Sequence, residues 1–330
     1  MQHAHTADDT SMLMRPANST GQAVASNAAR YGVWVDDPTS FTTQRVTAIH
    51  HNFHEHPLVQ LPQLALLATR LMPSGQCRFM TPGATQACAL ESVLQATSPH
   101  GQDIDEVFRR IEEPGTWVAL YNVETDPQYR AFLAEVMDTV RPLLEQRQPG
   151  IFKVCGYVFI SAPPSVTPFH IDRENNFWLQ LRGRKTMSVW DHTDRDVVAA
   201  KDVEDFVLFN SLELVRLKET VRARSQEFHT APGDGVYFPS TSPHMTRCDP
   251  AWVKPGDGVC VSMGVVFYSR VTRRHARVHQ FNHVLRRFGV TPRPPGESAA
   301  VDAVKAPLGH LLAVARMRLR RVTSSPPGSY

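Results

Sequence analysis

The pattern of apolar and polar residues is mixed between residue 31 and about residue 98, after a polar stretch without periodicity at 1–30, and helical spacing recurs at three places before residue 150. One helix is expected near Pro62, and a second over residues 103–112 (DIDEVFRRIE). A third is expected to begin at Asp126-Pro127, because an acidic cap followed by proline at the first helical position is a common helix start. The pattern therefore predicts a mixed segment with at least three helices.

The pattern changes after residue 150. Six short segments rich in aromatic and β-branched residues are separated by turn signals: FKVCGYVFIS, NNFWLQLRG, KTMSVWD, EFHTAPGD, GVYFPS and GVCVSMGVVFYS. Such a series is typical of an all-β sandwich or barrel rather than of alternating strands and helices. Helical spacing returns over residues 272–288 and 308–322, on either side of a proline-rich link at 291–297. We expect four parts: a flexible arm at 1–30, a helical and mixed flank at 31–149, a β core at 150–270 and a helical region at 271–330.

Composition narrows the class of protein. Hydrophobic residues make up 42% of the chain and charged residues 20%, which is ordinary for a soluble globular protein. Lys and Arg (35) barely outnumber Asp and Glu (32), so no global basic field indicates nucleic acid. No run approaches the roughly 18 apolar residues of a membrane span, and the first thirty residues lack the apolar stretch of a secretory signal. We expect a cytoplasmic protein that binds neither membrane nor nucleic acid.

The cysteines do not organise the fold. The chain has five, they are scattered, and no CxxC pair occurs among them. This excludes a zinc ribbon or a disulfide framework, and we expect buried or inert thiols.

Candidate chemistry begins with His170 and Asp172, which lie two residues apart in a strand context. Alternation along a strand turns both side chains to the same face. A histidine and a carboxylate are two of the three ligands of a facial triad, which leaves three metal positions open. His244 follows a strand framed by glycine and proline and is the candidate for the third ligand.

These residues resemble a known family. The motif Thr167–Asp172, then Asn176, the turn Gly183–Lys185 and a turn-strand block ending in His244 are similar to the cupin-fold JmjC-type iron(II)/2-oxoglutarate dioxygenases. The pattern is that of the asparaginyl hydroxylase that regulates hypoxia-inducible factor and of bacterial cupin-like relatives. The resemblance covers roughly residues 150–270. It implies a mainly β fold, a double-stranded β-helix or jelly roll, with flanking helices at both ends and iron at its mouth.

The resemblance also implies the metal ligands. His170, Asp172 and His244 are expected to hold Fe(II), which leaves positions for 2-oxoglutarate and O2. The family often has an asparagine on its last core strand, where this chain reads VSMGVVF over residues 261–267. Contacts to the co-substrate on that side are therefore not carried over.

Five further residues are expected to bind the co-substrate if the resemblance holds. Lys185 pairs with the distal carboxylate of 2-oxoglutarate, and Thr167 donates a hydrogen bond to it. Asn176 lies beside the end that chelates the metal, while Tyr157 and Phe159 line the pocket. A lysine is suited to this task as a point charge that can meet a buried carboxylate.

The function implied is an iron(II)- and 2-oxoglutarate-dependent oxygenase that releases succinate and CO2. The reading we favour is a hydroxylase of an amino-acid, peptide or protein side chain, or of a natural-product intermediate. Two alternatives stay open: a non-enzymatic, metal-binding cupin-like protein that regulates or binds, and an N-methyl demethylase. Specificity in such folds resides in loops and flanking helices, which carry no signal for one substrate.

Three further patterns have competing interpretations. The segment His50–His56 (HHNFHEH) is expected to be a polar loop near the pocket or an adventitious metal binder. His275, His279 and His283 recur on one basic helix, for which a solvated face is favoured over contact with an acidic partner or nucleic acid. The apolar side of residues 308–322 either caps the barrel or forms a homodimer interface, as C-terminal helices do in relatives.

Overall fold

The computed structural model describes residues 31–81, 83–98, 101–252 and 258–322, with backbone alone for residue 252 and for 319–322. The arm expected at residues 1–30 lies outside this range. Among the helices described, none combines the length and apolar character needed to cross a membrane.

Thirteen strands and seven helices are found in the described residues. The strands are β1 (Val33–Trp34), β2 (Thr47–His51), β3 (Cys77–Met80), β4 (Leu94–Gln95), β5 (Trp117–Leu120), β6 (Phe152–Ser161), β7 (Ser165–His170), β8 (Asn175–Arg182), β9 (Lys185–Val189), β10 (Gln226–Thr230), β11 (Asp234–Phe238), β12 (His244–Cys248) and β13 (Cys260–Tyr268). The helices are α1 (Leu61–Leu71), α2 (Leu90–Val93), α3 (Ile104–Arg109), α4 (Pro127–Leu144), α5 (Ala200–Phe209), α6 (Arg270–Arg287) and α7 (Ala299–Val322).

The strands form two antiparallel sheets. The large sheet has the order β1-β2-β11-β8-β13-β6-β5-β3-β4, and the small sheet has the order β10-β9-β12-β7. Side chains of the two sheets meet: Lys185 of β9 donates a hydrogen bond to Ser262 of β13. This arrangement is the jelly roll expected from the sequence, and the mainly β, cupin-like fold class is confirmed. Strands of the N-terminal flank extend the large sheet, and the domain boundaries at 149 and 270 stay a prediction.

The large sheet is packed on one face and lines an interior on the other. Along β6, Val158 and Ile160 are fully buried in the main hydrophobic core, which also contains apolar residues of α1 and α4. Tyr157 and Phe159 alternate with them and are only partly buried. Since successive side chains in a strand point to opposite faces, the two aromatic residues face the space between the sheets.

The expected helix start at Asp126 is confirmed. Its carboxylate accepts hydrogen bonds from the backbone N–H groups of Gln128 and Tyr129, as an N-cap does. The same carboxylate pairs with Arg70 of α1 at 2.6 Å, which ties the two helices together. The capped helix therefore covers the large sheet in a fixed position.

The C-terminal helices differ from the sequence expectation in one boundary. The last helix begins at Ala299 instead of residue 308, and Pro307 lies inside it. Proline removes one helical hydrogen bond. The turns before it are held by two buried side chains: Asp302 accepts a hydrogen bond from the Gly296 N–H, and Lys305 donates one to the Arg293 carbonyl. Gly309 explains how close α7 comes to α6, since a Cβ there would lie 1.8 Å from the carbonyl oxygen of Arg277.

Two expectations about histidines are wrong. His279 is 6% exposed and is not part of a solvated face, because α6 packs against both α5 and α7. Burial, together with the charge of Arg195, lowers the pKa of His279 to about 3, so its ring is neutral at pH 7. The segment His50–His56 is not a polar loop: it starts in β2, where His51 is 2% exposed and contacts the carbonyl oxygen of Asp234.

A glycine-to-alanine change at Gly309 is expected to separate α7 from α6. The added Cβ collides with backbone rather than with a flexible side chain, so the free energy of unfolding should fall by about 1–3 kcal/mol. Urea unfolding followed by circular dichroism measures the loss. Gly32→Ala is the matched control, because nothing lies within 4 Å of a Cβ at Gly32. Equal stability of the two variants would contradict the packing argument.

The homodimer stays a prediction, and the exposed side of α7 indicates how to test it. Val304, Leu308 and Leu311 are 65%, 40% and 65% exposed and lie on one side of the helix. If this side is the interface, Leu311→Arg places a charge in a dry contact and should convert a dimer into a monomer. Light scattering gives the mass, and Leu66→Arg, at an exposed leucine of α1, is the control. A monomeric mass for the unaltered chain would remove the idea.

Candidate metal centre and co-substrate pocket

A β-bulge turns His170 into the space between the sheets. In the pairing of β7 with β12, Thr167 lies opposite Thr246 and His170 lies opposite His244. Three steps along β7 thus match two steps along β12, so β7 carries one extra residue. Pro168 lies within the bulge, and it is tolerated there because β7 is an edge strand of its sheet. The extra residue lets Thr167 and His170 both face inward.

Asp172 is placed differently from the sequence expectation. The strand ends at His170, and Asp172 lies in the following loop instead of in the same strand. This loop is fixed to the one that leads into β12: the backbone N–H of Thr241 donates to the Asp172 carbonyl at 2.7 Å, and Ser240 Oγ donates to the Arg173 carbonyl. These contacts set Asp172 beside His244, which begins β12.

The three side chains converge. His170, Asp172 and His244 each offer one ligand atom, and these atoms all lie within 4.8 Å of one another. One carboxylate oxygen of Asp172 is 3.9 Å from His170 Nε2, and the other is 3.5 Å from His244 Nε2. The two histidine rings are 4.1 Å apart between centroids. Both imidazoles therefore present the same nitrogen to one carboxylate.

The orientation of both histidine rings suits metal binding. The Nδ1 atom of His170 lies 2.7 Å from the Pro168 carbonyl, and that of His244 lies 3.0 Å from the Ser242 carbonyl. A carbonyl only accepts, so each Nδ1 donates a proton to its carbonyl, and each Nε2 is turned toward Asp172. Burial, followed by the neighbouring His170, lowers the pKa of His244 to about 4 and keeps that ring neutral at pH 7. Two imidazoles and one carboxylate fit a divalent transition metal such as Fe(II).

Lys185 lies farther inside. It is 2% exposed at the start of β9, directly after the Gly183 turn that ends β8. Its Nζ donates to Ser262 Oγ at 3.1 Å, and among the described residues it has no carboxylate partner. A buried ammonium is costly unless an anion pairs with it, so this pocket is suited to a carboxylate ligand. Thr167 is 7% exposed and also faces the interior.

Asn176 of β8 is a further buried polar residue of the interior. It is 4% exposed on β8, and its amide oxygen is buried without a hydrogen-bond partner in the described part of the chain. Gly264 of β13 makes room for it, since a Cβ there would lie 3.2 Å from the amide atoms. This oxygen only accepts, so a donor on a ligand or a water molecule would satisfy it.

All eight residues expected from the sequence therefore face one interior. The structure brings together the ligand triad and shows Lys185, Thr167, Asn176, Tyr157 and Phe159 on the inner sides of both sheets. Glu174, two residues before Asn176, is a residue of this interior that the sequence did not indicate.

Glu174 lies at the metal end of the interior. It accepts a hydrogen bond from the Tyr268 hydroxyl at 2.7 Å. Burial raises the pKa of Glu174, and the charge of Asp172 raises it further. Glu174 lies in the same loop as Asp172, between β7 and β8, so no strand alternation in the sequence signals its position.

Ser262 and Tyr121 were also missed. Ser262 holds Lys185, and its position on the last strand is two residues before Gly264. Tyr121 follows β5, and its ring lies 5.3 Å from that of Tyr157 between centroids. Tyr121 comes from the N-terminal flank, so its place beside the core depends on the pairing of β5 with β6, for which the sequence holds no local signal.

The chain is similar to known proteins in sequence and in fold. Residues 140–269 match the JmjC domain family. None of the curated proteins compared with the chain matches it. Two solved structures that are similar come from Escherichia coli: an X-ray structure of ycfD (15% identity, TM-score 0.48, 86% of this chain and 69% of that chain) and YcfD, a ribosomal oxygenase, in complex with cobalt and 2-oxoglutarate (17% identity, TM-score 0.45, 86% and 68%).

The family match covers the part of the chain that carries the triad, Lys185 and Asn176. Together with the arrangement of His170, Asp172 and His244, it supports Fe(II) as the metal, 2-oxoglutarate as the co-substrate and O2 as the oxidant. The resemblance found in the sequence is thus confirmed over residues 140–269, which are similar to the JmjC domain family.

Proposed function

We propose that the protein is an iron(II)- and 2-oxoglutarate-dependent oxygenase that hydroxylates the side chain of an amino acid, peptide or protein, or a natural-product intermediate. The observation that carries the proposal is the occurrence, in the same interior, of a His-Asp-His triad and a buried lysine that has no carboxylate partner among the described residues. A binding protein that only held a metal would gain nothing from Lys185, which costs free energy when no anion is bound.

The metal and co-substrate have separate places in this proposal. His170 Nε2, His244 Nε2 and the Asp172 carboxylate would hold Fe(II), which supplies the redox chemistry by which O2 is used and 2-oxoglutarate is converted to succinate and CO2. Lys185 would bind the distal carboxylate of 2-oxoglutarate, and Thr167 would donate a hydrogen bond to it. Ser262 keeps the ammonium directed into the pocket.

The remaining residues orient the co-substrate and exclude water. Asn176 would donate its amide N–H to the end of 2-oxoglutarate nearest the triad. Tyr157 and Phe159 would pack against the carbon chain, and their partly exposed rings make this wall of the interior apolar. A dry pocket strengthens the pairing of Lys185 with its carboxylate because fewer waters compete for either charge.

The test of this function is succinate formation. Purified chain with Fe(II), 2-oxoglutarate and O2 should release succinate in the presence of peptide or amino-acid pools, and a mass gain of one oxygen identifies the substrate. Formaldehyde among the products would instead show an N-methyl demethylase. Absence of succinate under all these conditions, with metal and 2-oxoglutarate bound, would support the non-enzymatic alternative.

Replacing Asp172 by alanine should remove the metal. The variant loses the one anionic ligand of the triad, so the affinity for Mn(II), used as a redox-stable substitute for Fe(II), should fall by at least about 100-fold. Electron paramagnetic resonance measures the free Mn(II). Asp138→Ala, at a carboxylate on the surface of α4 whose side chain is 70% exposed, is the matched control. Full metal binding or full activity in Asp172→Ala would contradict the assignment.

Replacing Lys185 by alanine should weaken 2-oxoglutarate binding without loss of the metal. The distal carboxylate would be left without its cation, which costs about 3–5 kcal/mol if the pair is well buried. This corresponds to roughly two to four orders of magnitude in the dissociation constant. Calorimetric titration of the Mn(II)-loaded protein gives both affinities, and Lys201→Ala, at an exposed lysine of α5, is the control. Unchanged 2-oxoglutarate affinity would show that another cation binds the co-substrate.

A further inference from the structure

Two cysteines lie at the point where the two sheets meet. Cys248 is the last residue of β12 and Cys260 is the first of β13, and they are 4% and 2% exposed. Ser161 of β6 lies directly opposite Cys260 in the sheet, and its Oγ is 3.9 Å from Cys248 Sγ. Both thiols therefore lie against the same serine, one from each sheet.

The surroundings of the two sulfur atoms are polar. Cys260 Sγ lies 3.2 Å from the carbonyl oxygen of Arg184, one residue before Lys185. Cys248 is next to Arg247 of β12, which lies opposite Thr186 of β9, so continuing this pairing brings Cys248 opposite Lys185. The thiols thus lie beside the proposed carboxylate pocket and not in the apolar core on the far side of the large sheet.

The two thiols also affect each other. A hydrogen bond from Cys260, and the Lys185 ammonium more weakly, lower the pKa of Cys248. The hydrogen bond with Cys248 and burial raise the pKa of Cys260. The pair therefore consists of one sulfur that ionises readily and one that keeps its proton, and a thiolate is the nucleophilic form of cysteine.

We propose that Cys248 and Cys260 form a redox-sensitive pair that hydrogen peroxide converts into a disulfide between the two sheets. The Cys248 thiolate attacks one oxygen of peroxide, the O–O bond breaks, and with one proton the products are a sulfenic acid and water. The Cys260 thiol then attacks the sulfenic sulfur, forms the S–S bond and releases a second water. Peroxide is reduced by two electrons, and the two thiols are oxidised by two.

The disulfide would change the pocket that holds 2-oxoglutarate, a consequence that rests on the proposed function. Cys260 and Ser262 are two residues apart on one face of β13, and Ser262 holds Lys185. Formation of the disulfide moves Cys260 toward Cys248 and so shifts the start of β13. It also removes the negative charge of the Cys248 thiolate beside the Lys185 ammonium. Cys260 is also packed closely against the turn at Gly183, since a Cβ at Gly183 would lie 2.8 Å from Cys260 Sγ. We expect 2-oxoglutarate to bind on the order of tenfold more weakly to the oxidised protein.

The other three cysteines provide internal controls. Burial raises the pKa of both Cys77 and Cys155 to about 12, so neither reacts as a thiolate near pH 7. Cys88 is more accessible, and Thr85 lowers its pKa through hydrogen bonds, so it reports simple exposure to oxidant. A selective pair is therefore distinguishable from general oxidation.

The experiment uses the reduced full chain with a chelator present, so that no iron generates radicals from peroxide. After limited peroxide treatment and removal of the excess by catalase, free thiols are alkylated and peptides are analysed by mass spectrometry without reduction. We expect a crosslink between the Cys248 and Cys260 peptides, lighter by two hydrogens than their sum, that dithiothreitol removes. In Cys260→Ser, which keeps a hydrogen-bond donor beside Cys248 but no second thiol, Cys248 should stop at a sulfenic acid that a cyclic 1,3-dione traps. Cys88→Ser should form the crosslink as the unaltered chain does.

Two outcomes would overturn the redox pair: free thiols at both positions after Cys88 has been oxidised, or Cys248 paired with a cysteine other than Cys260.

Calorimetry with Mn(II) and 2-oxoglutarate then compares the affinity of the reduced and the oxidised chain for 2-oxoglutarate. A crosslink with unchanged 2-oxoglutarate affinity would overturn the effect on the pocket. A crosslink in a chain whose reduced form binds no 2-oxoglutarate would leave the modification standing and contradict the proposed function instead.

Discussion

One extra residue in β7 determines where the candidate site lies. Without the bulge, strict alternation from the inward Thr167 would turn His170 outward, and the ring could not meet His244 across the pair of strands. The bulge is placed at an edge strand, where Pro168 breaks no hydrogen bond to a further strand. It also puts the Pro168 carbonyl against His170 Nδ1, which leaves Nε2 for the metal. Ligand direction and ligand protonation thus follow from the same backbone irregularity.

The cost of burying polar groups explains the rest of the interior. Lys185, Asn176 and Thr167 are each nearly inaccessible, and a folded chain pays for such burial unless a ligand or a neighbour satisfies them. Ser262 satisfies part of Lys185, while the amide oxygen of Asn176 has no partner within the described residues. A carboxylate that enters this interior would pair with the Lys185 ammonium, so binding of 2-oxoglutarate there should stabilise the fold.

Much of the core and the residues of the candidate site could be predicted because their signals are local. The segment FKVCGYVFIS corresponds to β6, and the cap at Asp126 starts α4 as expected. Geometry that depends on pairing between distant segments could not be predicted. The loop position of Asp172, for example, results from hydrogen bonds to residues 240 and 241, and nothing in its own neighbourhood shows them.

Contacts between distant segments also explain why the burial of His279 on α6 could not be predicted from the sequence. The spacing of His275, His279 and His283 is identical on a solvated and on a buried face, so the sequence favours exposure from their polarity alone. Contact with α5 and α7 decides the outcome, and Glu204, 1% exposed, pairs with Arg286 across that contact. Buried charge pairs of this sort add little net stability but penalise wrong packing of the helices. In this chain they fix how the C-terminal helices sit on α5.

The charged side chains of the interior are separated, with the acidic groups at one end and the lysine at the other. Asp172 and Glu174 lie at the metal end and Lys185 at the other, with the aromatic side chains of β6 along one wall. A ligand that chelates a dication at one end and carries a second carboxylate at the other fits this order, because only the far end meets a fixed cation of the protein. In the proposed function, Lys185 would therefore hold the end of 2-oxoglutarate that lies away from the metal. This arrangement also explains why oxidation near Lys185 would act on the co-substrate and leave the three metal ligands unchanged.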